Sequence, residues 1–126
     1  MENQKELFEN LRESSTLPDV QYYIRQVLEL RGLSNQTVQD KLLLLTEEVG
    51  ELTKAVRKNS PGASVDHNRI SNYDSIESEI ADVFIVLISV ANTLNLDIFK
   101  CLKGKEKINT NRTWKINNQD KEPLKQ

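Results

Sequence analysis

Cysteine, histidine, glycine and proline are all scarce in this chain, and each shortage removes a class of structure or chemistry. Cys101 is the only cysteine, so no disulfide can form within the chain, and the composition fits a reducing compartment. His67, the only histidine, stands in a polar stretch rich in Ser, Asn and Asp and reads as an exposed bystander without a catalytic role. Four glycines and three prolines leave long stretches free of both, which favours helices over a turn-rich β architecture. A basic excess is missing too. The net charge is -2, which argues against a surface built to neutralise a nucleic acid backbone. The longest apolar tract, around Val83 to Val90, is far short of the ~20 residues needed to cross a bilayer. Met1 to Asn10 is acidic and polar with no apolar signal core. A cytoplasmic protein with neither nucleic acid nor membrane as partner is therefore expected. At 126 residues it is one domain with a modest core, to which association of copies would add.

What is present is helical periodicity. Residues 1–17 read as an N-terminal arm or short helix, with Leu7, Phe8 and Leu11 at helical spacing. Residues 18–114 read as the helical domain and 115–126 as a polar tail. A helix is expected from Pro18 or Asp19 to about Arg31, with Pro in its first turn and Gly32 just past its end. Its buried face would comprise Val20, Tyr23, Ile24, Val27, Leu28 and Leu30. Ser34 to Thr37 offers N-caps for a central helix, roughly Thr37 to Lys58. Its stripe of Val38, Leu42, Leu45, Val49, Leu52 and Val56 is expected to face the core. After a polar loop, Asn59 to Ser75, comes a nearly all-apolar helix from Asp74 or Ser75 to Leu94, and then a last helix, about Asp97 to Arg112, resting on Ile98, Phe99, Leu102 and Ile108.

Two acid pairs interrupt this pattern. On the central helix Glu48 and Glu51 are i and i+3, on a line between Leu44 and Ala55, with Glu47 close by. Like charges so spaced destabilise a bare helix by a few tenths of a kcal/mol per pair. A solvated acidic face answered by Lys54 and Lys58 would account for that helix alone. Glu79 and Asp82 repeat the i, i+3 spacing amid Ala81, Val83 and Val86, where carboxylates would have to be desolvated, paired or neutralised, and no cation lies in that helix. Antiparallel packing of the two helices would gather the four carboxylates. A hard-oxygen site without histidine or cysteine selects Mg²⁺, with Mn²⁺ as the alternative, over zinc or copper, and a di-iron site would want Glu-x-x-His pairs that are absent. On the last helix Lys105, Asn109 and Arg112 form one line of donors. Such a line is either a wet surface or, set opposite acids, half of a phosphate site.

Glu47 Glu48 Val49 Gly50 Glu51, followed after a spacer by Glu79 Ile80 Ala81 Asp82, resembles the EExxE and ExxD signature of the MazG-like, all-α nucleoside triphosphate pyrophosphohydrolases. The Leu-rich approach to Glu47 and the run Asn109 to Trp114 extend the resemblance to about residues 20–114. The spacer, Leu52 to Ser78, is at the long end for that family. The resemblance implies an antiparallel four-helix bundle, completed by oligomerisation as a homodimer or homotetramer. It implies Mg²⁺ on Glu48, Glu51, Glu79 and Asp82, with Glu47 assisting the metals or the attacking water. Lys105, Asn109 and Arg112, with Lys54 secondary, would meet the triphosphate. The implied reaction is hydrolysis of a nucleoside triphosphate between the α- and β-phosphates to monophosphate and pyrophosphate, in the service of nucleotide-pool house-cleaning.

Two other readings remain open on these residues. One is a non-catalytic helical module that binds nucleotide or metal as an oligomer, and the other is an all-α hydrolase of a different phosphorylated metabolite. Tyr22, Tyr23, Tyr73, Phe84 and Trp114 are all candidates to stack on a base, and the sequence does not rank them.

Overall fold

The computed structural model describes residues 2–66 and 75–117. The expected all-α class is what the chain adopts: five helices and no strand among the described residues. They are α1 (Gln4–Asn10), α2 (Leu17–Leu30), α3 (Val38–Lys58), α4 (Ile76–Thr93) and α5 (Ile98–Asn109). Short polar side chains begin them. Asn3 with Glu6, Thr16 with Asp19 and Thr37 with Asp40 form reciprocal capping boxes at the starts of α1, α2 and α3, which satisfy amide groups left without helical acceptors. Ser75 accepts from the Ser78 amide at 3.1 Å to start α4, and Asp97 accepts from the Lys100 amide at 3.0 Å to start α5. The end of α2 closes through Gly32, whose φ of 75° lets the Leu33 amide reach back to the Leu28 carbonyl at 2.8 Å. Asn95, at φ 56°, plays that part after α4, where the Leu96 amide reaches the Ala91 carbonyl at 2.9 Å.

The principal pair is α3 with α4, and α2 packs on α4. The α3–α4 pair is antiparallel: Lys41, near the start of α3, lines a cavity with Ser89 and Thr93 at the end of α4, while Glu48, further along α3, meets Glu79 and Asp82 near the start of α4. The short α1 rests on α2 through buried Leu7, so residues 4–10 are helix and not a loose arm, although Phe8 points to solvent. Beyond Asn95 the chain turns sharply, and α5 leaves α4 at 96° to pack on α2. No single helix among the described residues is long and apolar enough to cross a membrane. His67, Tyr73 and the Asp74 option for the start of α4 lie outside the described residues, as does the tail from residue 118.

Three expectations about burial need correction, the first on α2, where Leu30 is exposed and not part of the buried face. On α3, Leu42, Val49 and Val56 are 44–47 % exposed, whereas Lys41 and Ala55 are buried and Leu44, Leu45, Glu48 and Leu52 half-buried. The side of α3 turned to α4 is therefore the line Lys41, Leu45, Glu48, Leu52 and Ala55. The apolar surface of α3 is wider than one neighbouring helix can cover; α4 takes the acid-bearing edge and leaves the other open. On α5 no residue is buried, so Phe99, Leu102 and Ile108 do not form a core within the chain. On α4 the buried side runs through Glu79, Val86, Val90 and the fully enclosed Ile88, while Ile80, Phe84 and Leu87 on another face stay open.

Candidate metal centre

Glu48 comes from the middle of α3, and Glu79 and Asp82 come from the first two turns of α4. Glu79 is buried, and Glu48 and Asp82 are half-buried. Each offers one carboxylate oxygen, and the three oxygens lie within 4.8 Å of one another. The convergence follows from two periodicities. Glu48 occupies the α4-facing line of α3, and Glu79 and Asp82, one turn apart, share a face of α4. Glu77 and Glu79 also sit in the first turn of α4, where the positive end of the helix dipole suits negative charge.

Two ionised carboxylates at that separation repel by about 3.5 kcal/mol at an effective dielectric constant near 20. A divalent cation between them would turn the repulsion into attraction. The geometry fits one. Ligand oxygens around Mg²⁺ stand about 2.1 Å from the ion, which places pairs of them roughly 3–4 Å apart, inside the 4.8 Å that bounds the three oxygens here. The donor set is carboxylate alone, with neither histidine nor cysteine in the cluster, as a hard cation prefers.

The other residues singled out from the sequence are placed differently. Glu51 and Glu47 are exposed on α3, next to the cluster along the helix but outside the three-carboxylate group. Lys54 is exposed on α3. Lys105 and Arg112 are exposed, the first on α5 and the second in the turn beyond it, and Asn109 is half-buried at the end of α5. The Asn109 carbonyl accepts from the Trp114 indole at 3.0 Å and from the Arg112 amide at 3.1 Å, while its side-chain Oδ1 is buried without a partner. Within one chain, then, three acids converge between α3 and α4, while Lys105 and Asn109 lie on α5, which packs on α2, and Arg112 lies in the turn beyond it. Of the stacking candidates, Tyr22 and Tyr23 line a cavity of about 270 Å³ with Leu7, Leu11 and Asp19, and Phe84 and Trp114 are exposed.

Two residues escaped sequence reasoning. Lys41 is 7 % exposed in the α3–α4 interface, and the available sign was its position seven residues before Glu48, hence on the same line of the helix. Gln21 is buried where α2, the end of α4 and the start of α5 meet, and it shares a helical line with Ile24 and Val27. The family model of the MazG nucleotide pyrophosphohydrolase domain matches residues 36–113, more than half of the chain and the whole of the acid-bearing region. No curated protein matches.

Proposed function

The chain belongs to the MazG nucleotide pyrophosphohydrolase domain family, and from that premise we propose that it is a Mg²⁺-dependent hydrolase of a nucleoside triphosphate, cleaving between the α- and β-phosphates. The observation that carries this reading is the meeting of Glu48, Glu79 and Asp82 across the α3–α4 interface. These three carboxylates would hold the cation, with Glu51, one helical turn from Glu48, as a further acid beside them. A cation held there would supply positive charge against the phosphate oxygens and offset the charge that develops on them during reaction. Glu47, exposed at the edge of the cluster, receives the proton of the attacking water. The water oxygen bonds to phosphorus, the bond from phosphorus to the bridging oxygen breaks, and monophosphate and pyrophosphate leave.

The triphosphate also needs donors, and within one chain α5 packs on α2, whereas the acids lie between α3 and α4. Lys105, Asn109 and Arg112 would be delivered by α5 and the turn after it from a second copy. Supporting this are the 96° departure of α5 and the open apolar faces around Leu42, Val49 and Val56 on α3, Ile80, Phe84 and Leu87 on α4, and Phe99 and Leu102 on α5. The deciding assay is pyrophosphate release from a panel of nucleoside triphosphates with Mg²⁺ or with EDTA. Turnover on at least one member that disappears in EDTA is expected. Saturable nucleotide binding without product on any member would instead establish a non-catalytic binding module.

A further inference from the structure

Lys41 sits about 10 Å along α3 from Glu48, two helical turns from the acids. Its side chain reaches into a second cavity, of about 150 Å³, walled by Arg25 and Glu29 of α2, Ser34 of the α2–α3 connection, and Ser89 and Thr93 of α4. Only 7 % of Lys41 is exposed, yet among the described residues its ammonium has no hydrogen-bond or ion-pair partner. Burial depresses its pKa below the usual 10.5. The stem is covered while the ammonium tip keeps contact with water through the cavity, where it is open to a ligand.

The walls indicate which ligand the ammonium can meet there. The Thr93 hydroxyl is already committed to the Ser89 carbonyl at 3.0 Å, and the neighbouring Asn92 side chain to Gln21. The Lys41 ammonium, the Arg25 guanidinium and the Ser34 and Ser89 hydroxyls are not committed among the described residues. Two cations and two hydroxyl donors face a single acid, Glu29. That donor-rich set suits a small ligand with acceptors on every side. We propose that this cavity binds a tetrahedral oxyanion of the phosphate class, held by Lys41 and Arg25 with the Ser34 and Ser89 hydroxyls, at a site separate from the acid cluster. The acids repel such an anion unless a metal is bound, whereas Lys41 and Arg25 would hold it here without one.

The test is calorimetric titration of the full chain with inorganic phosphate in EDTA, at ionic strength matched with chloride. Saturable binding of one phosphate per chain is expected, weakened at least about tenfold in Lys41→Met and weakened also in Arg25→Gln, with Lys41→Arg retaining it. Met preserves the length and helix preference of Lys, and far-UV circular dichroism confirms that the variants are folded. Pyrophosphate titrated in parallel distinguishes the sources: binding that also depends on Lys41 marks a terminal phosphate of a larger ion as acceptable, and phosphate binding alone marks the free ion. Absence of saturable phosphate binding by the wild type, or binding by Lys41→Met within about twofold of it, overturns the proposal. Because no metal and no turnover enter this experiment, its outcome is independent of the pyrophosphohydrolase reading.

Discussion

At the scale of single residues, charge placement separates Asp82 from Lys41. Asp82 is half-buried with two other carboxylate oxygens within 4.8 Å, so Asp82→Asn removes a ligand atom's charge without changing side-chain size. Turnover should fall by about two orders of magnitude or more, while the helical circular dichroism signal persists. A variant that kept wild-type turnover would remove Asp82 from the site. Lys41→Met should raise stability at neutral pH in phosphate-free buffer, by a few degrees in Tm. The sign follows from its depressed pKa. Between the folded value and the unfolded 10.5, the unfolded chain binds the additional proton, so the penalty for burying Lys41 is complete below that window and is lifted as pH rises through it. The groups facing Lys41 are Arg25 and Glu29 of α2, and its α4 neighbours Ser89, Asn92 and Thr93 do not titrate. The gain from Lys41→Met should accordingly shrink toward pH 10.5, which melting curves at several pH values would show. Glu79 and Asp82 were legible in the sequence because an acid amid apolar neighbours stands out. Lys41 was not, because a lysine beside an apolar stripe ordinarily extends its amine into water, and burial depends on what α4 and α2 place over it.

At the scale of elements, helix starts were legible to within a residue or two and orientation was not, and the last helix ends at Asn109 where the sequence suggested about Arg112. Every helix from α2 to α5 begins at a residue whose short side chain caps it, and the Gly32 stop after α2 follows from local chemistry alone. Which edge of α3 meets α4 is a matter of the neighbour. Leu45 and Leu52 belong equally to the stripe read from the sequence and to the line actually buried, so periodicity could not choose between the edges. The elbow between α4 and α5 depends on Gln21 in a similarly nonlocal way. Its Nε2 donates to Asn92 Oδ1 at 2.9 Å and to the Leu96 carbonyl at 2.8 Å, and its Oε1 accepts from the Ile98 amide at 2.9 Å. Asn92 returns a bond to the Gln21 carbonyl at 2.9 Å. One amide thereby ties α2 to the end of α4 and the start of α5, partners more than 70 residues away. Gln21→Leu would strand the Leu96 carbonyl and the Ile98 amide together, which should cost about 2–4 kcal/mol in urea unfolding despite the added apolar surface. A loss below about 0.5 kcal/mol would mean that capping and backbone geometry set the elbow without it.

At the scale of the whole molecule, the open surface argues for a second copy. Gly50 stands mid-helix beside exposed Val49, where glycine costs roughly 0.5–1 kcal/mol relative to alanine. Open space surrounds the position a Cβ would take, so nothing within one chain calls for a glycine there. A helix of another copy approaching that face would. If two copies associate through a twofold axis, each site combines Glu48, Glu79 and Asp82 of one chain with Lys105, Asn109 and Arg112 of the other. Asp82→Asn and Arg112→Gln should then each inactivate the protein alone. Mixed after dissociation and reassociation, half of the dimers would pair one variant with the other, and each such dimer would carry one site with both residues intact. Activity should return to about one quarter of wild type by that random pairing. Sedimentation of the mixture checks that the copies have reassociated. Reassociated dimers that remained inactive would place acids and donors on the same chain, and α5 would then have to swing from the right angle it makes with α4 to bring them together.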